Sequence, residues 1–347
     1  MTILKQVLGI DVAKDELVVS LGRMNNDLSI EIYSTNVFPN TPTGFKSLIK
    51  WANQFTDASI KVQFVMEATG VYHQKFAYFL DEQEYNVSIV LPNKISNYMR
   101  TLEIKTITDY TCAKAIAQFG LERKLDLWKK PNPVYKKLQQ LTRERDQIVS
   151  ERVVVKNQLH AEKSEAEPNQ NSIKRLNARI VFLNKQEAEI KLDIKKCISK
   201  EETLKRDIEN ICTIPGVGEL TAAIVLSETN GFELIRNKKQ LVSYAGLDIK
   251  EKQSGTSVHG VPKITKKGNR VLRKSLHLPA ITSIKYNENH RDLFARIVSK
   301  NGIKMKGVVA VQRKILELIY TLHKNKMCFE HNYVKREQLQ VTASLTN

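Results

Sequence analysis

Two apolar runs, VLGIDVA and ELVVSLG, flank a short polar turn at Lys14-Asp15, and this pattern predicts a β-hairpin. A third run, SIEIYSTNV, extends it into a meander. In TPTGFKSLIKWANQF the period changes, and Phe45, Leu48, Ile49, Ala52 and Phe55 fall on one helical face. A strand IKVQFVME, a helix over 72–84, a strand VSIVLP, and helices over 95–102 and 109–120 complete the first third. A meander followed by alternating helices and strands predicts a mixed α/β sheet.

Residues 133–210 are charged and helical in period. Ile173, Leu176, Ile180, Leu183, Ile190, Ile194, Cys197, Leu204 and Ile208 follow a heptad spacing, interrupted by Glu187 and Glu201. Upstream, Leu141, Ile148 and Val155 recur every seven residues, with Leu159 close behind. Between the two runs AEPNQN breaks the helix, because Pro168 cannot sit inside one. The pattern predicts an antiparallel helical hairpin with a coiled-coil seam. It is equally compatible with a hairpin folded on itself and with one that pairs with a second copy.

From Ile211, TIPGVGELTAAIVLSE places a Gly-containing turn, with Gly216 and Gly218, ahead of an apolar helix. Such a turn exposes backbone N–H groups that can hold a phosphate, as in a helix–hairpin–helix; it is also ordinary loop chemistry. The remainder to about residue 330 reads as short helices around a polar loop, DIKEKQSGTSVHGVPKITKKGN.

Charge divides the chain unevenly. Residues 1–120 carry 11 Lys+Arg and 12 Asp+Glu, residues 121–210 carry 21 and 15, and residues 211–347 carry 23 and 10. The overall excess of +18 lies beyond the first third, and a basic surface of that kind attracts a polyanion. Aromatic residues are only 7% of the chain, which argues against base stacking as the main mode of binding. No apolar stretch approaches the ~20 residues of a membrane span, and the N-terminus does not resemble a signal peptide. Cys112, Cys197, Cys212 and Cys328 lack zinc-site spacing, so a reducing cytoplasm is expected, without a membrane partner.

Three acids stand out. Asp11 lies inside an apolar strand, where an unpaired carboxylate is costly. Glu67 ends another strand, and Asp109 begins a helix with Cys112 one turn further on the same face. Together these acids could hold a hard cation such as Mg²⁺, and two such ions would clamp a reacting phosphodiester. Singly, they read as a turn residue, a strand-end charge and a helix cap. In QSGTSVHG, Ser254 and Ser257 precede Lys263, Lys266, Lys267, Arg270, Arg273 and Lys274. A hydroxyl beside such a cationic run suits attack on a phosphate, and His259 is a weak candidate base.

GIDVAKD, MEATGVY and KTITDYTCAKAIAQFG resemble the acidic motifs of the DEDD insertion-sequence transposases of the IS-one-ten family. TIPGVGELTAAIVLSE, YAGLDIKEKQSGTSVHG and ITKKGNRVLRKSL resemble that family's C-terminal domain. The six blocks run in family order from about residue 5 to 325, and the Piv-like DNA invertases share the plan. The resemblance implies an α/β RNase H-like (RuvC-like) domain over 1–125 and a coiled-coil hairpin over 126–210. It implies a mainly α, serine-containing domain over 211–330, with its helix–hairpin–helix-like segment, then a tail over 331–347. It assigns Asp11, Glu67 and Asp109 to three positions of an acidic tetrad that binds Mg²⁺, with Mn²⁺ as a possible substitute, and Ser254 to the nucleophile. It further implies donor and target DNA and a structured guide RNA as partners. A dimer or tetramer joined through the hairpin and a bacterial or archaeal, nucleoid-associated location complete the expectation.

At the fourth acidic position this chain has Cys112, a soft ligand that is neutral unless ionised. Asp248 is a lesser departure, expected to matter little. A Piv-like invertase and a catalytically impaired remnant that still binds nucleic acid are the alternative readings.

Overall fold

The computed structural model describes all residues except Met1, Thr69, Glu103, Leu234, Lys252, 255–257, Val261 and 331–347. At Gln253, Ser254, Val258, His259 and Asn301 it describes the backbone alone. The chain forms two compact units, Met1–Lys130 and Pro131–Asn347, so the expected division at residue 210 falls inside one unit.

The first unit is built on β1 (Ile3–Val12), β2 (Glu16–Asn25), β3 (Ile30–Pro39), β4 (Val62–Glu67) and β5 (Asn86–Val90). Their order is β3-β2-β1-β4-β5, with the meander antiparallel and both β1–β4 and β4–β5 parallel. The parallel pairs need crossovers, supplied by α1 (Pro42–Phe55) and α2 (Gln74–Glu82). Alternation along β1 sends Leu8, Ile10 and Val12 to the face covered by Phe45, Leu48, Phe76 and Leu80 of these helices. Val7 and Val65 face the other way, against α3 (Pro92–Thr101) and α4 (Asp109–Glu122). Phe55, expected on the buried face of α1, is 48% exposed at the helix end.

Glycine sets how closely α4 approaches. A Cβ at Gly9 would lie 2.2 Å from the backbone N of Ala117 and 2.4 Å from the Ala113 carbonyl. At Gly120 it would meet Val7 at 2.8 Å and Val65 at 2.9 Å. Helix and sheet therefore meet backbone to backbone through small residues, close to Asp11.

In the second unit α5 (Pro133–Ser164) and α6 (Gln170–Ser199) run antiparallel as a helical hairpin broken at Pro168. The heptad run does not continue into one helix: α6 ends at Ser199 and α7 (Glu202–Cys212) starts anew. Glu187 does not interrupt the seam either. It sits buried within it, bonded to Arg145 and Lys191 at 2.8 and 2.9 Å and to Arg152. Burial alone would raise its pKa, but the three cations hold it down at about 2.

Leu138, Ile190, Ile194 and Cys197, at the base of the hairpin, share one core with α7 and α8 (Glu219–Glu228). The same core takes in α9 (Lys238–Ala245), α10 (Arg270–Ser275), α11 (His277–Tyr286) and α13 (Lys304–Asn325). α12 (Glu288–Asn301) packs on α13 and α11. Glu228, its side chain fully buried, binds Arg143 of α5 through both oxygens at 2.7 and 2.8 Å and accepts from Asn269 at 2.6 Å. That carboxylate ties the hairpin to the N-terminus of α10, since Asn269 caps it.

Candidate active site

The pleat determines where the acids point. Val7, Gly9 and Asp11 alternate with the α1/α2-facing residues, so Asp11 lies on the α4 side of the sheet. On β4, Val65 and Glu67 share that side, and the β1–β4 register ends at Ile10↔Met66. Asp11 and Glu67 are therefore neighbours one step beyond the last paired rung, on strands ~4.8 Å apart. Asp109 comes from above them, in the first turn of α4. Thr108 accepts from the Thr111 N–H at 3.2 Å, and the Thr111 hydroxyl accepts from the Thr108 N–H at 2.8 Å, which fixes where the helix begins.

The three acids sense one another electrostatically. Burial first, then the carboxylates of Asp109 and Glu67, push Asp11 up to about 6. Burial, then Asp11, Glu67 and Asp109, push the Cys112 thiol up to about 11. Cys112 is thus a neutral neighbour of three acids at pH 7. The donor set is hard carboxylate oxygen, which suits Mg²⁺ or Mn²⁺. Among the described residues, however, no group of three or more His, Cys, Asp or Glu is arranged to hold a metal ion. The acids sense one another without closing round a point.

A cleft of about 450 Å³ opens beside them, lined by Glu67, Cys112, Arg100, Asn93, Ser96 and Ile107 among others. Sequence reading missed its α3 wall. Asn93, Ser96 and Arg100 share one helical face, but polar residues at that spacing are indistinguishable from a solvated one.

The expected polar loop is an antiparallel arm. β6 (Ile249–Lys250) pairs with β9 (Lys263–Ile264), and β7 (Gln253–Ser254) with β8 (Val258–His259). Ser254 pairs with Val258 near the tip, while Ser257 lies outside the described residues. Asp248 has a definite task at the base of the arm: its carboxylate accepts from the Thr265 hydroxyl at 2.5 Å. Gly246 is left-handed, and a Cβ there would press on Arg273 at 2.8 Å.

The basic run splits in two. Lys263, Lys266, Lys267 and Arg270 are exposed. Arg273 donates to the Ala245 and Gly268 carbonyls at 2.7 and 3.1 Å, and Lys274 pairs with Asp146 of the hairpin. The glycine turn divides likewise. A Cβ on Gly216, at φ +90°, would lie 2.6 Å from the Pro279 carbonyl, which makes it a packing residue against α11. Gly218, which caps α8, has open space around it. No helix among the described residues is long and apolar enough to cross a membrane.

Comparison with known proteins places the whole arrangement. A family model described as Transposase, DEDD_Tnp_IS110, matches residues 8–162, and one described as Transposase IS116/IS110/IS902 family matches residues 208–295. The pilin gene-inverting protein of Moraxella bovis is 28% identical over 331 residues, 94% of this chain and 98% of its own. The insertion element IS110 uncharacterized 43.6 kDa protein of Streptomyces coelicolor is 26% identical over 120 residues, 35% of this chain and 29% of its own. Among solved structures, the Thermus thermophilus RuvC structure covers 35% of this chain at 13% identity, with a TM-score of 0.27, too low to carry an argument. The two family models together take in the acidic cluster and the serine arm, and the chain belongs to the IS116/IS110/IS902 family of transposases, enzymes that cut and rejoin DNA.

Proposed function

We propose that the chain is a serine recombinase of an insertion sequence, with a divalent-cation-dependent acidic site and a structured guide RNA. The observation that carries the reading is Asp11, which two further carboxylates and burial push up to about 6 at the end of a sheet of RNase H-like strand order. A site that concentrates negative charge is poorly suited to a polyanion unless a cation joins it. Asp11, Glu67 and Asp109 would hold Mg²⁺, which supplies Lewis-acid stabilisation of charge on the phosphate oxygens. In the chemical step the Ser254 hydroxyl attacks a DNA phosphorus and gives up its proton. A deoxyribose hydroxyl departs and takes up a proton, and the strand remains joined as a phosphoserine ester. Attack by another deoxyribose hydroxyl releases the serine. The full-length likeness to the pilin gene-inverting protein is equally compatible with a site-specific invertase using these groups.

Lys263, Lys266, Lys267 and Arg270 supply cations to the DNA or RNA backbone, with the Gly218 turn as a further phosphate contact. Val153, Val154, Val181 and Phe182, exposed on the hairpin, support pairing with a second copy. Ser254→Ala should abolish covalent protein–DNA adducts, trapped by denaturing the reaction, while leaving DNA binding intact. Adducts that persist in Ser254→Ala and vanish in Ser257→Ala would move the nucleophile to Ser257.

A further inference from the structure

Along the cleft beside the acids, α3 presents Pro92, Asn93, Ser96 and Arg100 on one face. At 1.5 Å rise per residue, Asn93 and Arg100 stand about 10 Å apart along the helix axis. The rest of the lining is largely aliphatic: Ile104 and Ile107 follow α3, and Ile95 and Met99 are buried residues of α3 itself. Ile107 is 73% exposed, so its side chain is open to a ligand in the cleft. Arg100 is the one cation among the described lining residues, and Glu67 and Cys112 belong to both the cleft and the acidic cluster. Whatever occupies the cleft therefore neighbours any group reacting at the acids.

We propose that this cleft is a pocket for one unpaired nucleotide, with its phosphate on Arg100 and its base against Ile104 and Ile107. Three features select that occupant. The volume of about 450 Å³ is at the small-ligand end of the usual range, too small for a duplex. A lining that combines aliphatic side chains with amide, hydroxyl and guanidinium donors matches a unit that is flat and apolar in one part and anionic in another. Finally, a base can enter such a pocket only once it has left its stack, as enzymes that act on a base achieve by extruding one nucleotide. Aliphatic contact here replaces the aromatic stacking that the 7% aromatic content makes scarce. The proposal rests on the nucleic-acid reading of the acidic site, and because Glu67 belongs to both, the pocket should bind its ligand more tightly in Mg²⁺ than in EDTA, in either case without catalysis.

The test is saturation-transfer NMR on the protein in Mg²⁺, and again in EDTA, with each deoxynucleoside 5′-monophosphate. At least one should receive saturation from the protein, and the matching nucleoside should bind more weakly. Arg100→Ala should weaken binding roughly tenfold, the usual loss of a charge-assisted bond. Ile107→Glu should abolish it. Both positions are solvent-facing, so circular dichroism should show unchanged folds. Lys94→Ala, exposed on the same helix but outside the cleft, should leave binding unaltered. No transfer with wild type, or equal weakening by Lys94→Ala and Arg100→Ala, overturns the pocket. Those results are separable from the catalytic reading. Adducts lost in Ser254→Ala with no nucleotide binding would sink the pocket alone. Nucleotide binding with adducts that need neither serine would sink the recombinase reading alone.

Discussion

In the N-terminal unit the acids stand on regular elements: neighbouring parallel strands and a capped helix, held against each other through glycine and alanine. In the C-terminal unit Ser254 stands on a strand of two residues, near the tip of an arm whose base is closed by Asp248, Gly246 and Arg273. One site is rigid by packing, the other is carried on a thin ladder. Charge differs as well. The acidic cluster repels itself, whereas Lys263, Lys266, Lys267 and Arg270 are exposed. The contrast teaches that packing holds the acids in mutual repulsion, whereas the basic run presents its charge from short, exposed elements.

The largest effect should come from breaking the rigid half. Gly9→Val would drive a branched side chain into the α4 backbone and cost about 3 kcal/mol or more, read by chemical denaturation. An unchanged midpoint would mean that α4 can move off the sheet, and that the acidic geometry is not set by packing. On the other side of the comparison, replacing Lys263, Lys266, Lys267 and Arg270 by Gln should leave stability alone and lower the salt dependence of DNA binding. The expected drop is about 0.9 in log–log slope per lost phosphate contact. Adding Arg273 to the set should instead unfold the base of the arm, because its guanidinium is committed to carbonyls.

A smaller effect measures the repulsion itself. Asp11 is near 3.8 unfolded and about 6 folded, so the folded state holds its proton more tightly. Its ionisation therefore penalises the fold increasingly as pH rises from about 4 through 6, and the penalty is complete above that. A two-unit shift corresponds to about 3 kcal/mol, reduced to about 1–2 kcal/mol by water reaching the partly exposed site. Asp11→Asn should thus be more stable than wild type at pH 8 by that amount, equal to it near pH 3.5, and inactive. A variant less stable at pH 8 would show Asp11 to be a structural partner.

The smallest change concerns Cys112. Its thiol stays neutral at pH 7, so Cys112→Asp adds a fourth charge and a hard ligand. Recombination should then reach its half-maximal rate at a Mg²⁺ concentration lower by on the order of tenfold. Mn²⁺ should partly rescue the unmodified chain. Identical Mg²⁺ curves would remove position 112 from the ligand set.

The sheet, its crossovers and the hairpin were legible because period 2 and period 3.6 persist over whole elements. Asp11 and Glu67 stood out in the sequence as charges within and at the end of apolar strand runs. The arm was not, since strands of two residues carry no period. Glu187 read as a gap in the seam because sequence does not reveal that Arg145 and Arg152, on the facing helix, pair with it. Gly216 read as a phosphate turn because a left-handed packing glycine and a left-handed anion-binding glycine look alike until the neighbouring Pro279 is in view. Arg100 gave no signal, because its cleft exists only once α3 and α4 meet.

Asp11, Glu67 and Asp109 sense one another at the end of the sheet, and we propose that a cation binds there. Carbon-detected NMR of the Asp11 side chain, titrated with pH in EDTA and again in Mg²⁺, tests it most directly. Without metal the Asp11 carboxyl should titrate near 6, and Mg²⁺ should move that midpoint down by at least a unit, with a smaller response in Glu67→Gln. A midpoint near 4 that ignores both Mg²⁺ and Glu67→Gln would contradict the account.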